Sequence, residues 1–193
     1  PAKLGPCSVE VTFVGRSNVG KSTLLNALCR KDLARVSNTP GRTRAINVFL
    51  AAPDRWLVDL PGYGFAFGDQ AQRESWQAMI EGYLTGRAGM RMIFVLIDAK
   101  IGPTKLDLLM LKWLEAKNLP WRVVATKADQ VKSSRALSQQ KDVAHAMGQK
   151  PLDVAWVSAD QGLGLGKLRG ELCELAGCMT EQVEGVLNPP GSR

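Results

Sequence analysis

Between Gly15 and Thr23 the chain reads Gly-Arg-Ser-Asn-Val-Gly-Lys-Ser-Thr. These types and spacings match G-x-x-x-x-G-K-[ST], a phosphate-cradling turn that has to lie between a strand and a helix. Gly15 and Gly20 allow the main chain to wrap closely around a phosphate. The N–H groups of Arg16, Ser17, Asn18 and Val19 and the N-terminus of the following helix favour negative charge there. Lys21 is expected to reach the β- and γ-phosphates, and the Ser22 hydroxyl, followed by Thr23, to ligate Mg²⁺. A glycine-rich turn with no ligand is the plain alternative. The flanking strand and helix patterns favour the cradle.

Three further stretches are informative through their positions. Asp59-Leu60-Pro61-Gly62 follows an apolar strand, so that the Asp59 carboxylate can hold Mg²⁺ through water and the Gly62 N–H can contact a terminal phosphate. Thr126-Lys127-Ala128-Asp129 closes another strand, at the end where such sheets bind ligands. A carboxylate at Asp129 can accept two hydrogen bonds from guanine N1–H and its 2-amino group, and the Lys127 stem can cover one face of the base. Val157 ends the last strand, and Ser158 and Ala159 follow it and offer N–H groups to guanine O6. Taken singly these are surface turns; together with the cradle they form a guanine-nucleotide site. A polar loop, Thr39-Pro40-Gly41-Arg42-Thr43-Arg44, leads into Ala45. Thr43 there can reach Mg²⁺ and a γ-phosphate, with Gly41, Arg42, Arg44 and Ala45 beside the nucleotide. Such a contact would exist only with the triphosphate, which makes this loop a switch.

The elements that must hold these loops alternate between strand and helix patterns, which predicts a mostly parallel sheet with helices on both faces. Strands are expected near Val9–Val14, Ala45–Leu50, Arg55–Asp59, Met92–Asp98, Trp121–Thr126 and Val154–Val157. The link Ala51–Asp54 is too short for a parallel crossover, so the second and third strands should pair antiparallel. Helices are expected over Lys21–Cys29, Ala71–Gly86, from Thr104 with Asp107 completing a capping box, over Ser134–Met147 and over Leu165–Met179. The third helix should bury Leu106, Leu109, Met110, Trp113 and Leu114. The fold class is thus α/β, a three-layer sandwich on a six-stranded sheet with one antiparallel strand. Residues 1–182 should form one domain and the Pro/Gly-rich 183–193 a disordered tail.

The bulk numbers agree with such a domain. The chain has 193 residues, 45% hydrophobic and 22% charged, and no apolar run approaches the roughly 20 residues that span a bilayer. No segment has the apolar core of a signal peptide. Cys7, Cys29, Cys173 and Cys178 form no CxxC pair, and His145 is the one histidine, so the thiols read as reduced and cytosolic rather than zinc-bound. The excess of 25 Lys+Arg over 18 Asp+Glu gives +7, which suits a polyanionic partner such as RNA, or only scattered solvated lysines. Arg30, Lys31, Arg35, Arg42 and Arg44 gather around the first switch.

The stretches Gly15–Thr23 (GRSNVGKST), Thr39–Thr43 (TPGRT), Asp59–Gly64 (DLPGYG) and Thr126–Asp129 (TKAD) together resemble the YihA/EngB family of ribosome-biogenesis GTP-binding proteins. TPGRT, DLPGYG and TKAD in place of NKxD are more specific to that family than the phosphate cradle. The resemblance covers about Val9 to Met179. It implies a P-loop GTPase domain that binds GTP, GDP and Mg²⁺ and acts, as a cytoplasmic or organellar-matrix monomer, in assembly of the large ribosomal subunit. Coupling to cell division and septation is implied as well. The family pattern has a longer N-terminal lead-in than this sequence. The rival readings are a nucleotide-gated binding module with negligible turnover, and a GTPase domain serving tRNA modification or transport; the latter usually comes with further domains or apolar spans.

In many GTPases a Gln directly after DxxG orients the attacking water. Tyr63 stands there, so intrinsic hydrolysis through Lys21, Thr43 and Gly62 is expected to be slow and to need help. Help can come from a bound ribosomal particle, from Arg42 as an arginine finger in cis, or from K⁺ contacted by Asn18. Two outcomes test these readings. Asp129→Asn or Asp129→Ala should abolish the preference for GTP over ATP, by more than about tenfold in competition binding, because two hydrogen bonds to a charged group are lost. Turnover should be faster in K⁺ than in Na⁺ buffer, and equal rates would remove the Asn18 role.

Overall fold

A computed structural model describes residues 5–34, 46–64, 70–177 and 184–187. The elements run β1 (Val9–Gly15), α1 (Lys21–Cys29), β2 (Asn47–Ala52), β3 (Arg55–Asp59), α2 (Gln70–Thr85), β4 (Met90–Asp98), α3 (Lys105–Ala116), β5 (Trp121–Thr126), α4 (Ala136–Ala146), β6 (Ala155–Trp156), α5 (Leu165–Ala176) and β7 (Glu184–Leu187). All six expected strands and all five expected helices are present. They form one sheet in the order β6-β5-β4-β1-β3-β2-β7.

β1 lies at the centre and is buried on both faces, with Glu10 and Thr12 as buried polar residues on one of them. It pairs in parallel with β3 and with β4, and every residue from Val9 to Gly15 is buried. Runs buried on both sides are the mark of parallel strands covered by helices. Val11 and Phe13 pack with Leu24, Leu25 and Leu28 of α1 and Leu168 and Leu172 of α5. Across the sheet, Val95 and Ile97 of β4 pack with Ile80 and Leu84 of α2, Leu111 and Leu114 of α3, and Val143 of α4. Two helices therefore cover one face and three the other.

β2 alone runs against its neighbours, being antiparallel to β3 and to β7. The Ala51–Asp54 link forces the first of these pairings. The second was not expected. In place of a disordered tail, Glu184–Leu187 adds a seventh strand, with Val186 opposite Phe49 and Leu187 opposite Val48. The reason is physical: the outer backbone groups of β2 need partners, and a short segment ending in Val186 and Leu187 supplies them. Composition misled here, because the Pro/Gly-rich stretch lies just beyond that segment, at Pro189–Gly191, with only Gly185 inside it.

α3 also differs from expectation, in rotation. Its buried residues are Asp107, Leu111 and Leu114, while Leu106 is 44% and Leu109 61% exposed. The helix turns a carboxylate inward with the leucines one and two turns on. Leu106, Leu109, Met110 and Trp113 face a cavity of about 340 Å³ against α2. No helix among the described residues is long and apolar enough to cross a membrane.

Candidate nucleotide site

The loops singled out in the sequence sit at one end of the sheet, because each follows the carboxyl end of a parallel strand. The Gly15–Gly20 turn leaves β1, Asp59–Gly62 ends and leaves β3, Thr126–Asp129 ends β5, and Val157–Ala159 follows β6. The chain moves from β1 to β3 on one side and then to β4 on the other, and this reversal opens the crevice in which open α/β sheets bind ligands.

The cradle has the backbone it needs. Asn18 and Gly20 take positive φ (64° and 90°), a turn that glycine adopts without strain. No side chain caps the start of α1 and no acidic residue lies in its first turn, so its N–H groups are open to an anion. Lys21 is 7% exposed and its ammonium contacts Asp59 Oδ1. The other oxygen, Asp59 Oδ2, is buried and has no hydrogen-bond partner among the described residues. An orphaned buried carboxylate oxygen is costly, and its position beside Lys21 suits a water-bound or directly held cation. Ser22, one residue on, is half-buried.

The Asp59–Gly62 turn is laid directly on the cradle. Ser17 N–H donates to the Tyr63 carbonyl at 3.0 Å and Tyr63 N–H to the Gly15 carbonyl at 3.1 Å. A Cβ at Gly62 would lie 2.8 Å from Ser17 N and 2.9 Å from Ser17 Cα. Only glycine allows that approach, since the opposing atoms are backbone and cannot step aside.

The base-binding side is braced by side chains. The Thr126 hydroxyl lies 2.6 Å from the Val19 carbonyl and 2.9 Å from the Ile97 carbonyl, tying β5 to the cradle and to β4. Lys127, at φ 55°, donates from Nζ to the Asn18 carbonyl at 2.7 Å and pairs with Asp98 Oδ2 at 2.9 Å. Its stem therefore crosses over Gly20, with Cε 3.7 Å from where a Cβ would stand. Ala128 N–H donates to the Val157 carbonyl at 3.0 Å, which joins this turn to the end of β6. Asp129 is half-buried at the rim. Ser158 is buried and its N–H donates to the Leu163 carbonyl at 2.9 Å, while its hydroxyl accepts from Gln161 N–H at 3.1 Å.

The structure thus brings together Gly15–Thr23, Asp59–Gly62, Thr126–Asp129 and Val157–Ala159. Gly41, Arg42, Thr43, Arg44 and Ala45 lie outside the described residues.

Sequence reading missed three parts of this site. Asp98 is 4% exposed and holds Lys127 with one oxygen while the other accepts from the Lys100 and Ile101 N–H groups at 3.0 and 3.2 Å. A charge ending the apolar run Met92–Asp98 at the ligand end of the sheet was the available signal. Asp107, read as a helix cap, also accepts from the Tyr63 hydroxyl at 2.8 Å. Tyr63 itself is 5% exposed. Burial first, and then the Asp107 carboxylate, push its ionisation well above the ordinary phenol value. The phenol therefore stays protonated and acts as a donor, with its hydroxyl turned to α3.

Comparison with known proteins matches residues 10–127 to the family described as 50S ribosome-binding GTPase. The chain is 44% identical over 171 residues to the probable GTP-binding protein EngB of Ruegeria sp. (strain TM1040), covering 86% of this chain and 79% of that one. It is 47% identical over 129 residues to the probable GTP-binding protein EngB of Thermotoga maritima, covering 67% and 66%. Among solved structures, a probable GTP-binding protein EngB superposes with a TM-score of 0.70 at 24% identity, over 88% of this chain and 99% of that one. Era of Aquifex aeolicus superposes at 0.70 and 22% identity, over 86% and 56%. These structures share the fold.

The bracing by Asp98 leads to a measurable expectation. Asp98→Asn removes the charge that holds Lys127 while keeping the side chain's shape. Lys127 is partly solvated, with its side chain 30% exposed, so the loss is modest. Dissociation of a fluorescent guanine nucleotide should become about 2- to 5-fold faster in stopped-flow measurement, and the melting temperature should change little.

Proposed function

The chain belongs to the EngB family of GTP-binding proteins and is a GTPase, and from that premise we propose that it works as a nucleotide-state switch in assembly of the large ribosomal subunit. The observation that carries the switch reading is the direct seating of Gly62 and Tyr63 on the phosphate cradle, with no room for a Cβ at Gly62. Whatever moves Gly62 at a terminal phosphate must move the second loop with it. The ribosomal half of the proposal is supported by the description of the matching family and by the +7 charge of the chain, which suits RNA.

In this reading the Asn18 and Gly20 amides and the start of α1 surround the phosphates, since the Ser17 and Val19 N–H groups are engaged by the Tyr63 and Arg16 carbonyls, and Lys21 exchanges its Asp59 partner for phosphate oxygens. Asp129 selects guanine, and Lys127 covers the base, held in place by Asp98. Ala159 N–H is the donor we assign to guanine O6, because Ser158 N–H is engaged by Leu163. Mg²⁺, when bound with the nucleotide, neutralises charge on the β- and γ-phosphate oxygens. Ser22 and Asp59 would hold it, with Thr43 joining in the triphosphate state, and the unpartnered Asp59 Oδ2 fits that role.

Slow intrinsic hydrolysis follows from Tyr63. Its hydroxyl is committed to Asp107 and remains protonated, so it does not stand in for a water-orienting Gln. Activation then comes from a further component: a ribosomal particle, K⁺ at Asn18, or Arg42. Through ribosome assembly the proposal extends to a requirement in cell division and septation, with the chain acting as a cytoplasmic monomer.

The test is co-sedimentation with purified large and small subunits at two salt concentrations, with GDP and with a non-hydrolysable GTP analogue, followed by turnover with each subunit added. Retention on the large subunit only with the analogue, weakening as salt rises, is expected, together with faster turnover. Retention in neither state would remove the ribosome from the proposal. Retention with no change in turnover would favour a nucleotide-gated binding module.

A further inference from the structure

Asp107 is a carboxylate with no solvent exposure in the first turn of a helix. Its Oδ2 accepts from Thr104 N–H and from the Thr104 hydroxyl, both at 2.7 Å. A capping role explains those two bonds and nothing more. Two further contacts come from the nucleotide loops. Tyr63, directly after Gly62, donates its hydroxyl to Asp107 Oδ1 at 2.8 Å. Arg16, the second residue of the phosphate cradle, brings its Nε to 3.5 Å from Asp107 Oδ2. That Nε is buried and has no hydrogen-bond partner among the described residues, so its contact with Asp107 is charge to charge.

A buried carboxylate is stable only while its hydrogen bonds and counter-charge stay in place. Here a hydrogen-bond donor and the recorded counter-charge both belong to loops that surround the nucleotide. Those loops are in turn fixed to each other, through the paired backbone of Gly15, Ser17 and Tyr63. A shift of Gly62 therefore pulls the Tyr63 backbone at one end of a stiff aromatic side chain whose other end is held by α3. Beside Asp107 on α3, Leu106 and Leu109 are exposed and line, together with Tyr63 itself, the cavity against α2, and Leu106 Cδ1 would be 2.9 Å from a Cβ at Gly64.

We propose that Asp107 is a positioning residue that transmits nucleotide state from Gly62, through Tyr63 and Arg16, to α3 and the α2–α3 surface. The proposal rests on the nucleotide-site reading above. It gives Tyr63 a purpose in the position where many GTPases use Gln: the side chain is a tether and takes no part in the chemistry. Coupling of this kind is reciprocal, so a partner seated on the α2–α3 surface would alter the preference for GTP over GDP.

The experiment uses the full chain and two variants, Tyr63→Phe, which deletes one hydroxyl, and Asp107→Asn, which deletes the charge. Affinities for GDP and a non-hydrolysable GTP analogue are measured by fluorescence titration. Amide hydrogen exchange of residues 104–111 is followed in both nucleotide states. In the unaltered chain the exchange of this turn should differ between the two nucleotides. In Tyr63→Phe the ratio of the two affinities should shift about 5-fold and the difference in exchange should disappear, with Asp107→Asn acting in the same direction. A fall in melting temperature alone, with the ratio within about 2-fold of the unaltered chain and α3 still responsive to nucleotide, overturns the proposal. Absence of guanine-nucleotide binding by the unaltered chain would overturn the site reading as well, and so is distinguishable.

Discussion

Two backbone segments, Gly15–Ser17 and Pro61–Tyr63, touch with no side chain between them. Their paired N–H and carbonyl groups extend the β1–β3 ladder past the end of the sheet. Much of the site depends on this contact. It sets the height of the phosphate cradle over the sheet and puts Asp59 against Lys21. It also aims Tyr63 under α3. It is possible because Gly62 has no Cβ and because β1 and β3 are buried neighbours whose ends are in register.

Around that contact the protein arranges its charges in pairs. Lys21 meets Asp59, Lys127 meets Asp98, and Arg16 meets Asp107. Each pair joins the cradle or the base-binding turn to the end of a strand or the start of a helix. Buried and half-buried pairs of this kind add little net stability. What they contribute is geometry, since a charge held in low dielectric has few acceptable positions. A fourth pair, Arg87 with Glu10 at 2.7 Å, lies away from the cradle, near the start of β1, and Arg87 also stacks over Trp56. It lies at the amino end of the central strand, opposite the end that carries the nucleotide loops.

The phosphate cradle, the antiparallel hairpin and the limits of α1, β3 and β5 were legible in the sequence because each rests on local rules. Glycine at a turn, a link too short for a crossover, and an apolar run of strand length all act over a few residues. The rotation of α3 was not legible. Counting apolar residues put Leu106 and Leu109 inside, whereas the helix buries Asp107 because partners for that carboxylate come from residues 44 and 91 positions earlier, Tyr63 and Arg16. The same holds for Thr126. In TKAD it reads as a variant spelling, and only the fold shows its hydroxyl bridging Val19, 107 residues away, and Ile97. Long-range polar contacts leave no period in the sequence.

The seventh strand alters the character of the sheet's margin. Without β7, β2 would offer an open row of amides and carbonyls immediately after the loop that holds Thr43. Exposed rows of this kind recruit strands from other chains. By occupying β2, Glu184–Leu187 moves the open row outward to a strand of only four residues, and an edge that short offers little for a strand of another chain to join.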